Sequence, residues 1–280
     1  VTTGEGTTTM DTAPQGNAQK PATAARMYDY YLGGIHNFPA DREAAEKVIA
    51  QFPFMPVLAR ANRAFLRRGV RHLVDAGVRQ FLDLGSGIPT VGNVHEIAQE
   101  NRPDTRVVYV DIDPVAVAES LEILDGNEWA TAVRADLCNP RAVLDHSEVR
   151  RVLDLDQPIG LVMAAVLHFV PDDAEAYDVV AQFVSALAPG SYLLASHIAA
   201  ESFMPTSDQM KTASDVYQRR TTTPVAARTR SDVQRFFAGL ELLEPGVVWP
   251  HEWRPDEDVP AEFADNPQHS GGWVGVGRKI

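Results

Sequence analysis

The sequence predicts an α/β protein with a doubly wound, Rossmann-like sheet, and three observations carry that prediction. From residue 80 onward, short apolar runs alternate with helix-forming stretches, the order expected of repeated strand–helix units. The runs are apolar throughout rather than at every second position, as in strands covered by helices on both faces. The first run ends in FLDLGSG, residues 81–87. A glycine turn there opens onto the crevice where open parallel sheets bind ligands, at the carboxyl ends of their strands.

The elements follow in order. The first 20 residues, VTTGEGTTTMDTAPQGNAQK, are rich in Thr and Gly and contain no apolar signal-peptide core; residues 1–20 are expected to be a disordered tail. Residues 21–77 are expected to form a helical cap. In it TAARMYDYYL makes a short helix that stops at Gly33-Gly34, and DREAAEKVIAQF makes the next, with Asp41 as its N-cap. Pro53 and Pro56 then break the chain. Residues 57–76 make a longer helix on which Leu58, Phe65, Leu66, Leu73 and Val74 recur at roughly helical spacing, closed by Gly77.

Residues 78–280 are expected to be the main domain. QFLDLG, RVVYVDID, TAVRAD, IGLVMAAVL and GSYLLASHIA read as strands, with VHEIAQEN, VAVAESLEIL and AEAYDVVAQFVSAL as helices among them. SDVQRFF reads as a helix opened by a capping box of Ser231 and Gln234. LELLEPGVVW and GGWVGVGRKI are the last strand candidates. The long acidic, Pro-rich connection between them is of the kind that covers a site. A final strand with no helix before it cannot make a parallel crossover, so it is expected to lie antiparallel beside its predecessor.

Composition narrows the partners. The 280 residues are 45% hydrophobic, enough for one large core, and carry a formal net charge of −13. So acidic a surface repels phosphate backbones, and no nucleic-acid partner is expected. No apolar run reaches the roughly 18 residues of a membrane helix, so no membrane partner is expected either. The one cysteine, Cys138, suits a reducing, cytoplasmic setting.

The glycine loop restricts the ligand. Gly85 and Gly87 allow a tight turn and close approach. The dinucleotide fingerprint needs a third glycine where Thr90 stands. Pro89 removes one of the backbone N–H groups that hold a pyrophosphate, although it pre-shapes a helical turn. A ligand without phosphates fits better. S-adenosylmethionine, an adenosine joined through a sulfonium to an amino acid, is such a ligand; a nicotinamide-dependent oxidoreductase is the disfavoured alternative. At the tip of the second strand, Asp111 is expected to accept from the ribose hydroxyls and Asp113, before Pro114, to cap the next helix; otherwise both are loop acids. Asp136, after the third strand, is a candidate acceptor for the adenine amino group, with the Leu137 backbone beside it.

Other side chains are candidates for the acceptor side. His168, just past the fourth strand, is either a general base for a hydroxyl acceptor or a structural histidine at the rim. Tyr28 and Tyr31 share a helix face; one ring could meet a sulfonium, or both pack in the core. His36 and Asn37 follow the glycine break, and Arg63 could bind a carboxylate or lie on a helix surface. No metal site is expected. His95-Glu96 begins an HExxH pattern, but Gln99 stands in the position of the second histidine.

At these residues the chain resembles the class I S-adenosylmethionine-dependent methyltransferases. It is most similar to the S-adenosyl methyltransferase family once known as a domain of unknown function. The resemblance rests on PATAARMYDYYLGGIHNFPADREAAE, ANRAFLRRGVRHLVDAGVRQFLDLGSGIPTVGNVHEIAQ, RVVYVDIDP, LELLEPGVVWPHEWRP and GGWVGVGR, and spans roughly residues 21–280. It implies a seven-stranded sheet with an antiparallel last strand and S-adenosylmethionine as cofactor. It implies cofactor contacts at Asp83, Gly85, Gly87, Asp111 and Asp136; Ser86, Ile112, Leu137 and Ala165 are further candidates for cofactor contact. It supplies no acceptor. The function expected is methyl transfer to oxygen or nitrogen of a small molecule, with a non-catalytic binder of the same cofactor as the alternative.

Overall fold

The computed structural model describes residues 21–89, 92–203, 225–256, 263 and 265–280. The tail expected over 1–20, and Thr90, lie outside the described residues.

The described residues begin with three helices: α1 (Ala24–Tyr31), α2 (Pro39–Gln51) and α3 (Met55–Asp75). Thr23 caps α1, its side chain accepting from Arg26 N, and Gly33 leaves the helix at φ +80°. Asp41 does not cap α2 from outside, as the sequence suggested. Phe38 is the N-cap, Pro39 opens the helix, and the Asp41 carboxylate reaches back to accept from Phe38 N at 2.8 Å. The proline at the first helical position shifts the start upstream, because it needs no N–H partner there. Pro56 likewise sits in the first turn of α3 rather than ahead of it.

The seven strands are β1 (Gln80–Leu84), β2 (Arg106–Asp111), β3 (Ala130–Arg134), β4 (Gly160–Ala164), β5 (Tyr192–Ile198), β6 (Glu241–Leu242) and β7 (Gly272–Arg278). They form one sheet in the order β3-β2-β1-β4-β5-β7-β6. β1 to β5 are parallel, whereas β7 lies antiparallel between β5 and β6. The expected antiparallel last strand is therefore present, and the fold is the seven-stranded Rossmann-like sheet. The strand β6 is only two residues long, with Val248 adding a single bridge to Val274.

Helices α4 (Val94–Gln99), α5 (Pro114–Ile123), α6 (Pro140–Leu144), α7 (Ser147–Val152), α8 (Asp173–Ala186) and α9 (Arg230–Arg235) connect the strands. Asp113 caps α5 as expected, accepting from Val115 N at 2.9 Å. The box at α9 is Thr229 with Asp232, not Ser231 with Gln234. Both pairs have the right spacing, and Thr229 leads because its side chain and that of Asp232 each reach the other's backbone N–H.

Two apolar clusters cover the sheet. One holds Leu82, Leu84, Val108, Leu161, Met163 and Phe183; the other joins Phe65, Val70 and Leu73 of α3 to Phe81, Val107 and Val162. Helix α3 therefore belongs to the sheet's packing as well as to the cap. A third, separate cluster, including Met27, Tyr31, Ala45, Val48 and Ala59, holds α1, α2 and the start of α3 together. The strand order reverses between β1 and β4, which places a crevice beyond their tips.

Candidate active site

The turn after β1 is held from the neighbouring strand. Gly85 N and Ser86 N both donate to Val110 O, at 2.8 and 3.2 Å. Gly85 and Gly87 adopt φ of +67° and +63°. A Cβ added at Gly85 would come within 2.0 Å of Val166 Cγ2, so space as well as conformation requires glycine there. Asp111 ties the turn to β2: its Oδ2 accepts from Gly87 N and its Oδ1 from Asp113 N, both at 2.8 Å. Burial pushes the Asp111 carboxyl above the usual range, while those two backbone donors oppose the rise.

Across the reversal point, β4 is followed by Ala165, a non-glycine residue at φ 55°. Its N–H donates to Ser196 Oγ at 2.9 Å, which helps hold a conformation costing an L-residue about 1–2 kcal/mol. Asp83, inside the tip of β1, is 7% exposed, and burial pushes its pKa up to about 7 against the pull of the Arg63 guanidinium. Arg63, on α3, has its Nε buried without a partner. Its guanidinium lies 5.7 Å from the centre of the Tyr28 ring. The Tyr28 hydroxyl donates to Ala59 O and accepts from Asn62 Nδ2.

A cavity of about 260 Å³ joins these groups. Of the residues expected at the site, it brings together Asp83, Gly85, Ser86, Gly87, Asp111, Ala165, Tyr28, Tyr31, Arg63 and His168. Five others do not line it. Ile112 is 62% exposed, and Asp136 and Leu137 follow β3 on the open side, with Asp136 accepting from Cys138 N. His36 pairs with Glu119 of α5 at 2.8 Å. Asn37 is spent inside the cap, its amide donating to Asp29 and Gly34 O while its oxygen accepts from Arg42. The Pro-rich connection before β7 reaches the cavity at its two ends, through Pro250 and Ser270.

His168 is 5% exposed and its Nδ1 has no partner. Burial, with His197 and Arg228 nearby, holds its pKa well below the ordinary value, so the ring is neutral near pH 7. The His197 pKa is lowered to about 4, mainly by burial. Its Nδ1 donates to Ile198 O, which leaves Nε2 to accept from Arg228 Nη1 at 2.8 Å. Arg228 also donates to Leu167 O, Val170 O and Asp173. Sequence reasoning missed Arg228 and His197, because an isolated arginine in PVAARTR carries no local motif. It also missed Arg26, which is buried and bonded to Asp41 at 2.8 Å and to Asp113 at 3.4 Å, fastening the cap to α5. His95, the start of the incomplete metal pattern, is engaged with the Tyr109 hydroxyl at 2.7 Å.

A seven-stranded sheet with an antiparallel β7, a tight glycine turn after β1 and an acidic residue at the tip of β2 define the Rossmann-like S-adenosylmethionine-dependent methyltransferase class. The chain belongs to the S-adenosyl methyltransferase family, whose sequence model matches residues 11–280. It is similar to a provisionally assigned methyltransferase from Thermobifida fusca YX, at 40% identity and a TM-score of 0.84 over 94% of this chain and 96% of that one. A DUF574-family protein from Streptomyces avermitilis MA-4680 is also 40% identical, with a TM-score of 0.84 over 93% and 98%. Comparison with curated proteins finds no match.

S-adenosylmethionine is the cofactor of this family, and the residues fit it. The loop offers few free N–H groups for a phosphate: Pro89 has none, and Gly87 N is taken by Asp111. Arg63, whose buried Nε has no hydrogen-bond partner, and Asp83, a carboxyl pressed toward neutrality, match the carboxylate and ammonium of an amino acid. No helix among the described residues is long and apolar enough to cross a membrane.

Proposed function

We propose that the chain transfers a methyl group from S-adenosylmethionine to an oxygen or nitrogen of a small molecule. One observation carries this reading. The lining of the cavity is not confined to the β1 and β4 tips but extends to residues of the cap helices and of β5, and in this reading that stretch takes the acceptor. That extension favours transfer over mere retention of the cofactor.

When bound, S-adenosylmethionine supplies a methyl group on a cationic sulfur, whose transfer to a hydroxyl or amine leaves S-adenosylhomocysteine and one proton. The protein's part is to bind, align and exclude water, and alignment alone is worth about 7–11 kcal/mol. In this reading Arg63 and Asp83 hold the amino-acid end, Asp111 and the Gly85–Gly87 turn hold the ribose side, and Ile112, Asp136 and Leu137 flank the base on the open side. Tyr28 and Tyr31 bound the acceptor side. His168, neutral and buried, accepts the hydrogen of a hydroxyl acceptor and so orients it. A base whose conjugate acid is so disfavoured gains little from capturing the proton outright. The cap formed by α1, α2 and the first turns of α3 closes the site.

Calorimetric titration with S-adenosylhomocysteine and with NAD tests the reading. Saturable binding of the former and none of the latter is expected; the reverse would return the chain to the oxidoreductases. Asp111→Ala is expected to weaken S-adenosylhomocysteine binding by roughly 1–3 kcal/mol, the cost of a lost hydrogen bond to a charged group.

A further inference from the structure

We propose that the acceptor half of the cavity takes an uncharged, largely apolar molecule bearing a hydroxyl or a neutral nitrogen, rather than an amine cation or a carboxylate. This rests on the methyl-transfer reading above and names the substrate class of that same site.

The cavity has two chemically different halves. At the strand tips it is polar, with Asp83, Asp111 and Arg63. Beyond them it runs between Phe52, Met55 and Leu58, from the end of α2 and the start of α3, and Phe169, Ile198 and Val225 on the sheet side. All six of these apolar side chains remain partly exposed. Most apolar residues of the two sheet clusters are fully covered, so a half-covered ring of them around a cavity is surface that an apolar ligand would cover. The sequence shows how it arises: in QFPFMPVL the prolines at 53 and 56 end one helix and start the next. Phe52 and Met55 at that break pack on one side against the cap cluster and keep part of their surface exposed.

Among the described residues, counter-charges for an ionic acceptor are lacking on this side. Among the described residues lining the cavity, the charged side chains are Asp29, Arg63, Asp83 and Asp111. The last three lie on the cofactor half. Asp29 is buried in the cap and accepts from Asn37 Nδ2 at 2.8 Å, and a Cβ placed on Gly34 would come within 2.0 Å of its Oδ1. His168 and His197, also on the wall, are both held neutral. Among the described residues a carboxylate or ammonium would find no partner there, and an unpaired buried charge is strongly disfavoured. The width is limited too. A Cβ on Gly271 would lie 1.7 Å from Leu58 Cδ2, so the wall before β7 closes directly onto α3.

The test uses three probes that share one ring system: 2-naphthol, 2-naphthoate and 2-naphthylmethylammonium. Each is titrated calorimetrically into the full chain saturated with S-adenosylhomocysteine. The naphthol is expected to bind saturably and at least about tenfold tighter than either ion. Met55→Lys is expected to weaken naphthol binding about tenfold or more while leaving S-adenosylhomocysteine affinity unchanged, and Met55→Leu to retain both. Should Met55→Lys not fold, Phe52→Gln on the same rim carries the same expectation. Absence of naphthol binding, an ion binding as tightly as the naphthol, or a folded variant that binds naphthol normally would each overturn the acceptor class. Failure of S-adenosylhomocysteine itself to bind the wild-type chain is a different result: it removes the methyl-transfer reading and this inference with it.

Discussion

Replacing Asp83 with asparagine should stabilise the unliganded protein at alkaline pH and weaken its hold on the cofactor. Asp83 sits inside the tip of β1 with its pKa raised from 3.8 to about 7, chiefly by burial, with Arg63 pulling it down and Asp111 pushing it up. For an acid whose folded pKa lies above its unfolded value, the contribution to stability is present below the unfolded pKa. It is lost as pH rises through the folded one. The whole displacement corresponds to about 4 kcal/mol at 1.36 kcal/mol per pH unit. Between pH 5 and 8.5 the wild type should therefore lose roughly 2–3 kcal/mol relative to Asp83→Asn, an isostere that carries no charge. Urea unfolding of both proteins without ligand, at four or five pH values across that range, measures the difference directly. The same carboxyl should ionise fully when an ammonium group arrives, so S-adenosylhomocysteine binding near pH 7 should release a fraction of a proton. Calorimetry in buffers of different ionisation enthalpy reads that release. A stability difference that stays flat with pH, together with proton-independent binding, would refute the argument that burial governs Asp83.

Three further expectations concern the scaffold. Gly85→Ala meets Val166 Cγ2 at 2.0 Å and forces an L-residue to φ +67°, so a loss of roughly 2–4 kcal/mol and of S-adenosylhomocysteine binding is expected by thermal melting and titration. Arg26→Met leaves the fully buried Asp41 without its cationic partner and is expected to cost about 3–5 kcal/mol in urea unfolding; a change under 1 kcal/mol would show that the pair does not fasten the cap. His168 has a folded pKa below its unfolded value, so its contribution is present above about pH 6.5 and is lost as pH falls. His168→Gln should shrink the stability lost between pH 7 and 5, and the wild-type imidazole should show no titration in NMR spectra down to pH 5.5.

Several features were legible in the sequence because they are local. Apolar runs covered on both faces specify buried parallel strands wherever they occur. Gly85 and Gly87 mark a turn whose positive φ favours glycine, and Asp113-Pro114 writes its helix start in two residues. The antiparallel end strand was expected because the stretch before it reads in the sequence as a Pro-rich, acidic connection rather than a crossover helix. Cap boundaries were less secure, as Asp41 and Thr229 show, because several nearby residues satisfied the same spacing and only backbone geometry chose among them. The site's interior was decided by tertiary structure. Arg228 meets His197, and Arg26 meets Asp113, across separations of 31 and 87 residues, which no local pattern records. Folding also separated residues that sequence reasoning had grouped. Asn37 is consumed by Asp29 and Arg42, whereas Arg63, which a surface helix could equally have carried, has its Nε buried beside Asp83. Periodicity and turn chemistry act over a few residues and can be read along the chain. Burial, pairing and pKa depend on which distant segments share a volume, and only the packed fold determines that.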